Sequence, residues 1–118
     1  MQRARVIAAH RVPDRPAIRV SAGDAVTLGE RDGEWPQLVW ATLSQGLGGG
    51  IPAVLFDGQG GTATALEDYD TRELAADPDE IRVLHREQAG WRWAQNAAGH
   101  SGWIPARAVE PLQVADTA

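Results

Sequence analysis

Cysteine and lysine are absent from the 118 residues, and methionine, tyrosine and phenylalanine occur once each. Without cysteine there is no disulfide framework, no thiolate nucleophile and no Cys-rich zinc site. Without lysine, all eleven positive charges are arginine, a bias consistent with codon usage and given little functional weight. No apolar run reaches the ~18 residues that a spanning helix needs, so no membrane segment is expected. The opening Met1-Gln2-Arg3-Ala4-Arg5 leads into no long apolar core, so no export signal is expected and the cytoplasm is the expected location. A chain of this length holds one ordinary domain or two very small ones, and it excludes a large two-domain enzyme.

Negative charge is plentiful and unevenly spread. The formal net charge is −5. Residues 1–57 carry six arginines and six acids, whereas residues 58–118 carry five arginines and ten acids. Seven of those acids fall between Glu67 and Glu80, against Arg72 alone. Phosphates would be repelled by such a patch, so no nucleic-acid partner is expected. A cationic partner suits it, and so does plain solvation of a loop.

Short runs rich in Val, Ile, Leu and Trp alternate with Gly, Pro and Asp clusters, the punctuation of an all-β protein. Val26-Thr27-Leu28 and Ile81-Arg82-Val83 read as half-buried strands. The Ala-rich Glu73-Leu74-Ala75-Ala76 is too short for a helix and stops before Asp77-Pro78. The chain also repeats itself. Leu38-Val39-Trp40-Ala41 lies over Trp91-Arg92-Trp93-Ala94, Gly46 over Gly99, Gly49 over Gly102 and Ile51-Pro52-Ala53 over Ile104-Pro105-Ala106, all at a shift of 53. Upstream, Gly23-Asp24 lies over Pro78-Asp79 and Val26 over Ile81 at a shift of 55, which implies two extra residues near Glu34-Trp35-Pro36-Gln37. The expected division is a first unit at 1–57, a Gly-rich linker at 58–62 and a second unit with a short C-terminal tail at 63–118. Units of this size with five short strands suit small bent barrels, which hide their sheet edges. The glycines of Gly46-Leu47-Gly48-Gly49-Gly50 read as a hairpin tip.

The second copy resembles a Src homology 3 domain over residues 63–112. Ala65-Leu66-Glu67-Asp68-Tyr69 is similar to the family's ALYDY strand, Glu73-Leu74 to the start of its ELSF turn, and Asp79 with Ile81 to its GD-x-I strand. Trp91-Arg92-Trp93-Ala94 is similar to WWxA, and Gly102-Trp103-Ile104-Pro105-Ala106-Arg107-Ala108-Val109 to the closing GYIPxNYV. The first copy matches more weakly over 4–57, through Gly23-Asp24, Trp40-Ala41 and Ile51-Pro52. The resemblance implies two tandem five-stranded barrels. It implies binding rather than catalysis, usually of a proline-rich segment in the polyproline II conformation on an aromatic shelf.

By that resemblance Tyr69, Trp91, Trp103 and Pro105 would form the shelf of the second barrel, and Glu73, with Asp70 and Asp77, would read a basic residue of the ligand. Glu67 and Ala108 stand where the family has shelf tyrosines, so a reduced groove is expected, with a ligand richer in Arg than in Pro. In the first copy His10, Leu38 and Gly50 stand at the positions of Tyr69, Trp91 and Trp103, so no peptide is expected there. Trp40 and Trp93, present in both copies, are expected to be structural. Trp91 and Trp93 are two residues apart and share a strand face unless a bulge separates them. Trp35 is expected to pack locally against Pro36 or to form an exposed contact.

No catalytic, metal or cofactor site is expected. His10, His85 and His100 lack ligand spacing. Ser21, Ser44 and Ser101 sit in no nucleophile elbow. The glycine run is not followed by Lys-Ser or Lys-Thr, so it is no phosphate loop. Exposed loop acids lack the burial that tunes a carboxylate for acid–base work. The expected role is a protein- or peptide-interaction module. A competing reading is an assembly protein whose paired barrels homodimerise or dock in a larger complex. A bacterial-type module for cell-wall peptides would also need export.

Overall fold

The computed structural model describes residues 2–58 and 61–112. Gln59 and Gly60 of the expected linker, and the expected tail at 113–118, lie outside the described residues. In chain order the strands are β1 (Gln2–Val6), β2 (Arg19–Val20), β3 (Ala25–Arg31), β4 (Leu38–Thr42), β5 (Gly48–Pro52), β6 (Phe56–Asp57), β7 (Gly61–Ala65), β8 (Tyr69–Asp70), β9 (Ile81–Gln88), β10 (Trp91–Gln95), β11 (Ser101–Pro105) and β12 (Val109–Pro111). Single 3₁₀ turns at Ala53–Leu55 and Ala106–Ala108 are the only helical pieces among the described residues. Each follows a proline, Pro52 or Pro105, whose φ of −55° or −57° is the value its ring imposes. No helix among the described residues is long and apolar enough to cross a membrane.

The strands form two five-stranded antiparallel sheets with the same plan. One runs β11-β10-β9-β1-β12, the other β5-β4-β3-β7-β6, and β2 and β8 make a separate pair. Among the described residues the end strands of each sheet do not pair with each other, so neither sheet closes by hydrogen bonding. The repeat is visible in bond-by-bond detail. The β4–β5 turn is held by Leu43 N–H to Leu47 O and Gly46 N–H to Leu43 O; the β10–β11 turn by Asn96 N–H to His100 O and Gly99 N–H to Asn96 O. Gly46 and Gly99 have φ of +97° and +89°, which a side chain disfavours. The tip is therefore residues 43–47, and Gly48–Gly50 belong to a strand, contrary to the expectation of a glycine tip.

The compact units are not cut where the repeat is cut. Residues up to Asp14 cluster with those from Glu73 onward, and Arg15–Arg72 form the other unit. Strand β1 sits between β9 and β12, and β7 sits between β3 and β6. Each opening strand thus belongs to the sheet built from the other copy, and the 1–57 and 63–118 division does not describe the contacts. Both strands bury the same alternate positions, Ala4 and Val6 in β1, Ala63 and Ala65 in β7.

The register also differs by one from the expected overlay. Ala4 pairs with Arg82 in one sheet and Ala63 with Val26 in the other, so Val26 corresponds to Arg82, a shift of 56, and the first copy has three extra residues before β4. A slip of one residue turns a strand over. Ile81 is 42% exposed, and Arg82, at 6%, points inward. Its guanidinium donates to Ile81 O at 2.9 Å, Ala75 O at 3.2 Å and Glu80 Oε1 at 2.9 Å, which offsets part of the cost of burying a charge. In the same unit Ala4, Val6, Leu74, Leu84, Ala94 and Ile104 belong to the apolar core.

Candidate functional site

Strands β10 and β11 pair in unbroken register, Trp91 opposite Pro105 and Trp93 opposite Trp103. Alternation puts these four on one face; Ala94 and Ile104, on the other, belong to the core. The bulge required to part Trp91 from Trp93 is present on a different strand. β9 carries one extra residue between Leu84 and Glu87, opposite the Arg92–Ala94 step of β10. It leaves the two indoles on the same face, so the expected split into one structural and one ligand-binding tryptophan does not hold.

Trp103 is 2% exposed. Trp93 meets it edge-on at 5.2 Å between ring centroids, and the Arg86 guanidinium lies over its ring at 5.4 Å. It is a packed ring, not the open shelf residue expected. Pro105 is buried as well, and Trp91 and Trp93 are half-buried. In the other unit the expectation for Trp40 reverses too. It is 42% exposed, with Arg15 over its ring at 5.4 Å. A Cβ on Gly48 would stand 2.5–2.8 Å from the Trp40 indole, so glycine there lets the ring lie on β5.

The expected set is divided. Tyr69 and Asp70 form β8 in the 15–72 unit, where Tyr69 is buried opposite Val20. Glu73, Asp77, Trp91, Trp103 and Pro105 lie in the other unit. The place beside Trp91 is taken by His10, which corresponds to Tyr69. Its ring meets Trp91 edge-on at 5.4 Å, and its Nε2–H donates to Glu73 Oε1 at 2.8 Å. Both side chains are largely shielded, at 15% and 17% exposure. The His10 backbone is held against Ala76 by a reciprocal pair of hydrogen bonds, at 2.9 and 3.0 Å. That of Glu73 is fixed over β11, where Leu74 N–H donates to Trp103 O at 3.0 Å. Gly102 permits this crossing, since a Cβ there would lie 2.7 Å from the Glu73 backbone.

The carboxylates expected to read a ligand already have side-chain partners within the chain. Asp77 accepts from Arg11, in a pair exposed at both ends. Asp70 lies 3.6 Å from both Arg19 and Arg72. Glu73 holds His10. His10 was legible only as a lost tyrosine of the first copy, because its partners lie more than sixty residues away. Among the described residues no three of His, Cys, Asp and Glu gather as metal ligands would. No family model, curated protein or solved structure matches the chain.

Proposed function

We propose that the chain is a non-enzymatic protein-interaction module of two Src homology 3-like barrels, in which the unit containing Trp91 binds a segment bearing an arginine, with or without proline. The observation that carries the reading is the sheet face opposite the core, where half-buried Trp91 stands beside the His10–Glu73 pair and half-buried Trp93 packs on Trp103. Large rings turned away from a core lower their free energy when a partner covers them. Arg11 on Asp77 occupies the place of a ligand guanidinium. Displacing it is inexpensive, because an exposed ion pair contributes little. The ligand-reading set is thereby recentred on His10, Glu73, Asp77 and Trp91.

An array of Arg-containing peptides, probed with the parent and with Trp91→Ala, tests this. The variant is expected to keep its thermal transition and to lose about 1–3 kcal/mol of binding. Equal binding by both proteins would reject the groove. The burial of Trp103 favours a second reading, in which the rings stiffen a barrel that serves in assembly. A concentration-dependent homodimer with no peptide binding would decide for it.

A further inference from the structure

The two opening segments, residues 2–14 and 61–72, are structural equivalents that could each complete either sheet. Strands β1 and β7 have the same burial pattern, and His10 pairs with Ala76 as Tyr69 pairs with Val20. By that equivalence Asp70 stands where Arg11 stands. The charges are opposite in sign: Arg11 meets Asp77, and Asp70 meets Arg19.

We infer that these charges sort the two arms, assigning each opening segment to the sheet of the other copy. If the arms traded places to form sheets from contiguous sequence, Asp70 would come beside Asp77 and Arg11 beside Arg19. Two attractions would become two like-charge contacts, a penalty on the wrong pairing as well as a gain for the right one. His10 adds to the choice. Its carboxylate partner Glu73 directly precedes Leu74, and the matching segment of the other unit, Ala17-Ile18, offers none.

The cysteine-free chain permits a direct test. Arg3 lies opposite Val83 in the observed sheet. In the contiguous arrangement Arg3 would take the place of Thr62, opposite Thr27. Directly opposed strand residues are close enough to form a disulfide. A chain carrying Arg3→Cys, Val83→Cys and Thr27→Cys is refolded from denaturant under oxidising conditions, and the 3–83 and 3–27 disulfides are quantified by peptide mass spectrometry. The parent charges should give mainly 3–83. Adding Arg11→Asp and Asp70→Arg should raise the 3–27 to 3–83 ratio about fivefold or more, since two favourable pairs become unfavourable. Adding Arg19→Asp and Asp77→Arg to that variant should restore the original ratio. An unchanged ratio in the first charge variant, or no restoration in the second, overturns the inference. Should the first variant not fold, refolding the parent-charge chain at 1 M salt decides. Screening must raise the 3–27 share relative to low salt, and an unmoved share overturns the inference.

Discussion

Gly102 in β11 and Gly50 in β5, which matches Trp103, lie on opposite faces of equivalent strands, and their surroundings separate two kinds of glycine. At Gly102 a methyl group would meet the Glu73 and Leu74 backbone at 2.7–2.9 Å; at Gly50 it would meet the Leu38 side chain at 3.5 Å, ordinary contact. Gly102→Ala is expected to lower unfolding free energy by about 1–3 kcal/mol. Gly50→Ala is expected to be near neutral, as measured by denaturant titration. Equal effects would mean that the Glu73 backbone does not cross β11 so closely. Arg82 is the opposite lesson. A strand pattern of apolar, polar, apolar at residues 81–83 invites burial of Ile81. Instead the arginine turns inward, where two backbone carbonyls and Glu80 receive its N–H groups. Alternation tells that two faces exist, and only the bonds available inside tell which face is which.

At the level of the element, β1 and β7 share a pattern but differ in volume. Val6 is almost completely buried in β1, while the matching position in β7 is Ala65. Val6→Ala is expected to cost about 1–3 kcal/mol through lost burial and a small cavity. The loss should appear in the unfolding of the Trp91-containing unit, followed by amide exchange of β9 and β12. If exchange accelerates only in β3 and β6, the strand assignment is wrong. The glycines of the hairpin turns, Gly46 and Gly99, were legible, because a positive φ favours glycine there; the β9 bulge at His85-Arg86, with neither glycine nor proline, and the 3₁₀ turns were not. The face occupied by Trp40, Trp91, Trp93 and Trp103 was not. A large ring fits equally well inside a core or against the outer side of a sheet, and its neighbours decide.

For the whole molecule, the exchange of opening strands between the two sequence copies has a direct consequence. Deleting residues 2–14 removes the strand between β9 and β12, far away in sequence. One arm, β7, then remains for two sheets, and one sheet's set of dispersed amide resonances is expected to collapse in a heteronuclear NMR spectrum. Retention of the full set would show that β1 is dispensable to its sheet.

The sequence by itself determined an all-β chain, a two-fold repeat and the glycines on which its hairpins turn, because these depend on backbone freedom and side-chain alternation within a few residues. The tertiary structure alone decided which opening strand completes which sheet, that Arg82 turns inward, and that His10 rather than Tyr69 stands beside Trp91. These outcomes depend on partners tens of residues away, where volume, charge and hydrogen-bonding complementarity choose between arrangements that local pattern leaves equal.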